Sequence, residues 1–240
     1  MAERFRLADF AYAHRGLWSA SGPPENSLRA FKAAADQGLG VELDLRPSAD
    51  GVPMIFHDPV LDRMTDRSGV FESYSAKTLI GISLNGGGTI PRFEDLLREW
   101  PAKTPLLCEL KIDGRTDPVS FAETVANLLS TVTVPAAMMS FSTEAVAATP
   151  ETIMRGQLIL PSAQSGADDL AGTPTVSVDY LACHTSDAGD PGLQAARKNH
   201  PLVCWTVTEI DKCAALAPLT DSQIFEGFDP ALAKSHILNT

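Results

Sequence analysis

The 240-residue sequence predicts an α/β fold, a (β/α)₈ TIM barrel with a small insertion after its second strand. Short apolar runs alternate with helical patterns along the chain, and this order favours a parallel sheet. Eight barrel strands remain when the apolar run at 52–56 is assigned to the insertion. The length is also ordinary for one such barrel. We therefore predict a single barrel domain over residues 1–240, with the insertion at 58–90.

The first strand–helix–strand unit shows how the elements are predicted. An apolar run at 10–13 is followed by a loop rich in Ser, Gly and Pro. Asn26 or Ser27 then caps a helix, and Gly38 is a suitable residue to end it. The strand at 41–46 begins within a few residues, as expected for a helical connection between parallel strands.

The same alternation continues to the end of the chain. The remaining barrel strands are predicted at 105–110, 137–141, 157–160, 176–181, 202–207 and 223–228. Helices are predicted at 121–129, 143–148, 193–198, 209–216 and 230–237. The Asn-Gly-Gly-Gly joint at 85–88 closes the insertion, and a helix that starts near Phe93 returns the chain to the barrel.

Composition limits the partners and the location. The formal net charge of −11 argues against nucleic acid and anionic membranes, because both attract basic surfaces. The N-terminus has no apolar leader and no apolar run is long enough to span a bilayer, so we expect no stable membrane anchor. The four cysteines are far apart, which favours reduced thiols in a cytoplasmic protein over disulfides or a zinc site. The oligomeric state is left open.

The second predicted strand carries an unusual set of charges. Glu42, Asp44 and Arg46 alternate with Val and Leu, so their side chains share one face. Two carboxylates are costly to bury without a partner, and a hard cation is the simplest partner. The alternative is an exposed edge strand with a solvated face. We expect Arg46 to form an ion pair with Asp44 or with a neighbouring strand.

Charged side chains recur at or just after the ends of apolar runs, and active sites of (β/α)₈ barrels lie at the carboxyl ends of the strands. These residues are His14, Arg15, Glu42, Asp44, His57, Glu109 and Lys111. Three carboxylates suit Mg²⁺ or Ca²⁺ better than zinc, two histidines suit a general acid and base, and two cations suit a phosphate. The pattern predicts metal-assisted cleavage of a phosphate ester.

Some of these residues also have simpler interpretations. Glu109 and Lys111 could form an ion pair without a further role, and Trp205 could belong to the core. The other histidines are expected to be ordinary surface or core residues. They are His184, His200 and His236.

Several motifs resemble those of glycerophosphodiester phosphodiesterases. They are His14-Arg15-Gly16, Glu25-Asn26-Ser27, Glu42-x-Asp44, Asp50-Gly51-Val52-Pro53 before His57-Asp58, Glu109-Leu110-Lys111 and Cys204-Trp205-Thr206-Val207. The resemblance implies a TIM barrel that binds a divalent cation, Mg²⁺ or Ca²⁺, and cleaves a small phosphodiester. It implies metal ligands at Glu42, Asp44 and Glu109, an acid–base pair at His14 and His57, and substrate contacts from Arg15, Glu25, Lys111 and Trp205.

One departure from the family pattern lies at the end of the last strand, where Glu226 and Gly227 stand in place of a usual Asp. We expect this change to alter the far wall of the pocket. Two alternatives stay open: a phospholipase D-like cleavage of lysophospholipids, and a non-catalytic barrel that binds phosphorylated small molecules. A nucleotide-binding fold has little support, because no glycine-rich phosphate loop follows a strand.

Overall fold

The computed structural model describes residues 3–101, 103–165 and 174–238. Its strands are β1 (Tyr12–His14), β2 (Gly40–Pro47), β3 (Pro53–Ile55), β4 (Leu106–Leu110), β5 (Ala136–Ser140), β6 (Met154–Leu158), β7 (Tyr180–His184), β8 (Leu202–Val207) and β9 (Ser222–Phe225). Eight of them are parallel in the order β1-β9-β8-β7-β6-β5-β4-β2, and β1 pairs with β2 to close the barrel. β3 pairs antiparallel with β2, outside the barrel. The predicted fold is confirmed.

Helices lie between the barrel strands. They are α1 (Leu28–Asp36), α2 (Ala76–Leu79), α3 (Phe93–Glu99), α4 (Pro118–Ser130), α5 (Thr143–Ala148), α6 (Ser162–Ser165), α7 (Pro191–Ala196), α8 (Ile210–Leu216) and α9 (Pro230–Ile237). α4, α7 and α9 each begin with an Asp cap followed by Pro, which suits the first helical turn. None of the helices in the described ranges is long and apolar enough to cross a bilayer.

The interior of the barrel is filled below its carboxyl end. Two tyrosines are fully buried there, and each faces a glycine on the neighbouring strand, Tyr12 beside Gly40 and Tyr180 beside Gly156. A Cβ atom on either glycine would overlap the tyrosine ring. The tyrosine hydroxyl on β1 also donates to the carbonyl of Leu7, in a short turn before that strand. These contacts give the site a packed floor.

The insertion between β2 and α3 has a small apolar core of its own. Phe56 and Phe71 stack with their ring centroids 4.8 Å apart, and Met54, Leu61 and Leu79 pack around them. This segment therefore buries its own apolar side chains, and it meets the barrel through the ion pairs given below.

Two strands begin three or more residues away from their predicted starts. β6 begins at Met154, three residues earlier than expected, since Arg155 and Gly156 interrupt the apolar pattern. β7 begins at Tyr180, four residues later than expected. Val178 is buried without belonging to a strand, and Asp179 accepts a hydrogen bond from the backbone of Arg155 where the pairing starts. The carboxyl end of β7 consequently falls at His184.

Candidate active site

Three carboxylates form a cluster at the carboxyl ends of two neighbouring strands. Glu42 and Asp44 lie on β2, and Glu109 is the register neighbour of Asp44 on β4. One oxygen from each lies within 4.8 Å of those from the other two, and all three side chains are buried. Because β2 pairs with barrel strands on both sides, the interpretation as an exposed edge strand is wrong.

The electrostatics of this cluster suit a hard divalent cation. Burial raises the pKa of Glu42 well above its ordinary value, and the charges of Asp44 and Glu109 raise it further. Asp44 Oδ1 is buried and accepts no hydrogen bond from any described residue, although Lys111 Nζ lies 3.0 Å away. A cation bound to these oxygens would relieve the repulsion between the carboxylates. The acidic triad is therefore compatible with a divalent metal site.

The second oxygen of Asp44 is held by groups from the loop after β1. Asn26 Nδ2 donates to Oδ2 over 2.7 Å, and Arg15 Nε lies 3.2 Å from the same oxygen. Burial alone would raise the pKa of Asp44, but the charges of Lys111 and Arg15 lower it. Ser27, rather than Asn26, caps α1, which leaves the Asn26 amide free to orient the carboxylate.

Two cationic side chains reach the cavity beside the carboxylates. Arg15 Nη1 donates to Glu25 Oε1 over 2.8 Å, and the backbone N–H of Arg15 donates to Glu42 over 3.1 Å. Lys111 Nζ donates to Glu109 Oε1 over 2.7 Å. Since Lys111 also contacts the neighbouring strand β2 and lines the cavity, the interpretation as a simple ion pair is incomplete. Both cations are placed to attract an anionic group.

His14 lies at the end of β1 between two carboxylates. Its Nδ1 is 2.6 Å from Glu226 Oε2, and its Nε2 is 3.8 Å from Glu42 Oε2. Glu226 follows β9, and β9 is the neighbour of β1 in the closed barrel. The expectation that Glu226 belongs to the far wall of the pocket is therefore corrected. Burial would raise the pKa of Glu226, but the hydrogen bond with His14 lowers it.

His57 follows β3 and has its own carboxylate partner. Its Nδ1 lies 2.6 Å from Asp58 Oδ1. The pKa of His57 is lowered chiefly by burial, which favours the neutral ring. The pKa of Asp58 is about 2, because hydrogen bonds from Arg63 and His57 outweigh its partial burial. A neutral imidazole beside a fixed anion can accept a proton at neutral pH.

Arg46, on β2, holds the loop that carries His57. Its Nε donates to the backbone carbonyl of His57 over 2.8 Å, and its Nη1 contacts Glu72 at 3.4 Å and Asp113 more closely. The expected ion pair with Asp44 is wrong. The alternative, a partner from a neighbouring strand, is close to what is found, because Asp113 lies in the loop that follows β4. Arg46 instead ties the insertion and the loop after β4 to the end of β2.

These side chains surround one cavity of about 510 Å³ at the carboxyl end of the barrel. Its wall on the side of β5 to β8 is largely apolar and includes Phe141, Leu158 and Trp205. The Trp205 ring meets Phe141 and His184 edge to face, with centroid distances of 5.7 and 5.4 Å. The site thus has a charged half and an apolar half.

The structure brings the predicted site residues together. Seven of them line the cavity: His14, Arg15, Glu42, His57, Glu109, Lys111 and Trp205. Glu25 and Asp44 contact Arg15 just behind it. The sequence reasoning missed His184, which also lines the cavity, and the pairing of Glu226 with His14. Correct placement of β7 would have revealed His184 as another polar residue at a strand end.

Residues 14–220 match the glycerophosphoryl diester phosphodiesterase family. The bovine (Bos taurus) glycerophosphodiester phosphodiesterase 1 is 50% identical over 60 residues, which cover 25% of this chain and 18% of the relative. An Oleispira antarctica phosphodiesterase, solved in complex with the product sn-glycerol-3-phosphate, has a TM-score of 0.79 and 23% identity, covering 96% of this chain and 97% of the other. A glycerophosphodiester phosphodiesterase from Parabacteroides distasonis has a TM-score of 0.76 and 19% identity, and the match covers 96% of this chain and 97% of the other. The matched segment thus spans less than a fifth of the bovine relative, whereas the likeness in fold covers almost the whole chain.

Proposed function

Because the chain belongs to the glycerophosphoryl diester phosphodiesterase family, we propose that it hydrolyses glycerophosphodiesters to glycerol 3-phosphate and an alcohol. One observation carries the proposal. Two histidines, each hydrogen-bonded to a carboxylate, face the same cavity as Glu42 and Glu109, two members of the buried acidic triad. A diester needs a proton acceptor, a proton donor and positive charge around the phosphate, and this cavity supplies all three.

Each group has a proposed role. Arg15 and Lys111 hold the phosphate, and one of His14 and His57 deprotonates the nucleophile while the other protonates the leaving alcohol. The nucleophile is water or the glycerol 2-hydroxyl of the substrate. A Mg²⁺ or Ca²⁺ ion held by Glu42, Asp44 and Glu109 would supply charge neutralisation at the phosphate oxygens.

A second candidate is release of the head group from a lysophospholipid. The apolar half of the cavity favours it, because Phe141, Leu158 and the half-exposed Leu160 could contact an acyl chain. We prefer a glycerophosphodiester as the substrate, because the charged half of the cavity holds all the groups proposed to act on the phosphate and does not require an acyl chain. We also keep the prediction of a cytoplasmic location, which the free and buried state of all four cysteines supports.

The test is a hydrolysis screen with added Mg²⁺ or Ca²⁺. The substrates are glycerophosphodiesters that differ in the alcohol, together with a lysophospholipid in vesicles. Release of glycerol 3-phosphate from the soluble diesters supports the proposal. Turnover of the lysophospholipid alone supports the second candidate, and absence of turnover on every diester contradicts both.

We predict that Glu226→Ala lowers kcat by about tenfold or more, because His14 loses the carboxylate that orients its ring and a general acid or base contributes about 10²–10⁴-fold. Steady-state kinetics with the best diester measure the effect. Glu209→Ala is the matched control, since Glu209 is exposed and its side chain makes no capping hydrogen bond. An unchanged kcat in Glu226→Ala would show that the pairing has no part in turnover.

A further inference from the structure

Arg63 lies in the insertion and reaches two loops of the site at once. Its Nε and Nη2 donate to the two oxygens of Asp58 over 2.6 and 3.0 Å. Its Nη1 and Nη2 donate to the two oxygens of Glu25 over 2.8 and 2.7 Å. The side chain is 46% exposed and is not among the residues that line the cavity. Within the described part of the chain, the side chain of Arg63 is therefore connected to the cavity through Asp58 and Glu25.

The first partner leads to a histidine. Asp58 Oδ1 accepts from Arg63 and lies 2.6 Å from His57 Nδ1, so one oxygen joins the guanidinium to the imidazole. Because both Asp58 oxygens are held by Arg63, the carboxylate cannot rotate away from the ring. Arg63 thereby limits the orientations that His57 can adopt.

The second partner leads to the proposed phosphate contact. Glu25 is buried and its Oε1 accepts from both Arg63 and Arg15. Arg15 in turn lies 3.2 Å from Asp44 and lines the cavity. Without Arg63, Glu25 would keep one cationic partner and could turn toward solvent, which would release the Arg15 side chain.

We propose that Arg63 is a positioning residue through which the insertion holds both reactive halves of the site, His57 through Asp58 and Arg15 through Glu25. The inference rests on the proposed function. A planar guanidinium has five N–H donors in fixed directions, and here they reach all four oxygens of Asp58 and Glu25. A lysine ammonium has three donors on a single nitrogen and cannot make the same four bonds. The fixed geometry matters because a displacement of about 1 Å at a reacting group can cost about 100-fold in rate.

The experiment is a pair of double-mutant cycles measured as kcat and KM. Arg63→Met is expected to lower kcat by about tenfold or more and to raise KM. In the Asp58→Asn background it lowers kcat by less than twofold further but still raises KM. In the Glu25→Gln background it still lowers kcat but leaves KM nearly unchanged. If Arg63→Met changes kcat and KM by the same factors in both backgrounds as in the wild type, the proposal is overturned.

Two further variants separate positioning from general stability. Arg63→Lys keeps the charge but cannot make all four hydrogen bonds to Asp58 and Glu25. It is expected to retain the thermal midpoint and to show a smaller loss of kcat and a smaller rise of KM than Arg63→Met. Arg67→Met is the matched control, because Arg67 is in the same segment and its side chain is 69% exposed, with Asp66 as its ion-pair partner among the described residues, at 3.9 Å. A kcat loss in Arg67→Met equal to that in Arg63→Met would contradict the inference.

The proposed function and the inference can fail separately. Wild-type turnover on diesters is measured first, and its absence counts against the function alone. Calorimetric titration with inorganic phosphate then tests the connection from Arg63 through Glu25 to Arg15, and it needs no turnover. The inference is supported if Arg63→Met weakens phosphate binding in the wild-type background but does not weaken it further in the Glu25→Gln background. Unchanged phosphate binding in Arg63→Met overturns it.

Discussion

Replacement of either His14 or His57 by alanine is expected to lower kcat on a glycerophosphodiester by about 10²–10⁴-fold. Each ring lines the cavity and is fixed by a carboxylate on Nδ1, so that Nε2 is the nitrogen left for the substrate. Neither replacement removes a residue from the packed interior, and the thermal midpoint should change little. Steady-state rates and thermal unfolding on the same preparations measure both quantities.

The matched control is His200→Ala, because His200 lies outside the cavity, in the turn before β8. Its kcat should equal that of the wild type. The double variant His14→Ala/His57→Ala should lose less than the product of the two single losses, since residues that act as a unit are not additive. Near-full activity in both single variants, with metal present, would refute the acid–base assignment.

Removal of divalent cations is expected to abolish activity and to lower the thermal midpoint, and Mg²⁺ or Ca²⁺ should restore both. The buried oxygens of Glu42, Asp44 and Glu109 repel one another when no cation lies between them. A cation at 100 times its dissociation constant adds about 2.7 kcal/mol to the free energy of unfolding, or roughly 5–10 °C for a chain of this size. Activity and thermal scans after EDTA treatment and cation addition are the measurements.

Glu42→Gln separates the cation site from general stability. The amide keeps the shape of the side chain but removes one buried charge, so the cation-free variant should be at least as stable as the cation-free wild type. It should also lose the cation-dependent rise in thermal midpoint. Glu99→Gln on the exposed face of α3 is the control, and it should respond to cations as the wild type does. Activity that is indifferent to EDTA would argue against the triad as a metal site.

The acidic triad could be predicted from the sequence, because its position depends only on where strands end and which way their side chains point. Period-two alternation places Glu42 and Asp44 on one face, and the carboxyl ends of parallel strands meet at one rim of a barrel. Together these rules bring Glu109 to the same place before any coordinate is known. The structure shows the three side chains clustered there.

The missed contacts depend on packing that no local pattern encodes. Glu226 meets His14 because closure of the barrel places residues 212 positions apart side by side. His184 was missed because buried Val178 extends the apolar pattern ahead of the true strand. Arg63 meets Asp58 and Glu25 because the insertion folds back on the rim, and nothing in the sequence around Arg63 specifies this path.

The packed floor of the barrel also bears on the order of events in a turnover. Tyr12 and Tyr180 fill the interior against Gly40 and Gly156, so the cavity in the described part of the chain is a blind well that opens at one rim. If the proposed function holds, a diester and both of its products would pass through the same opening. The phosphate-bearing product, held by Arg15 and Lys111 at the strand ends, would leave after the alcohol and would compete with the next diester. Because there is one opening, release of the phosphate-bearing product would have to precede binding of the next substrate.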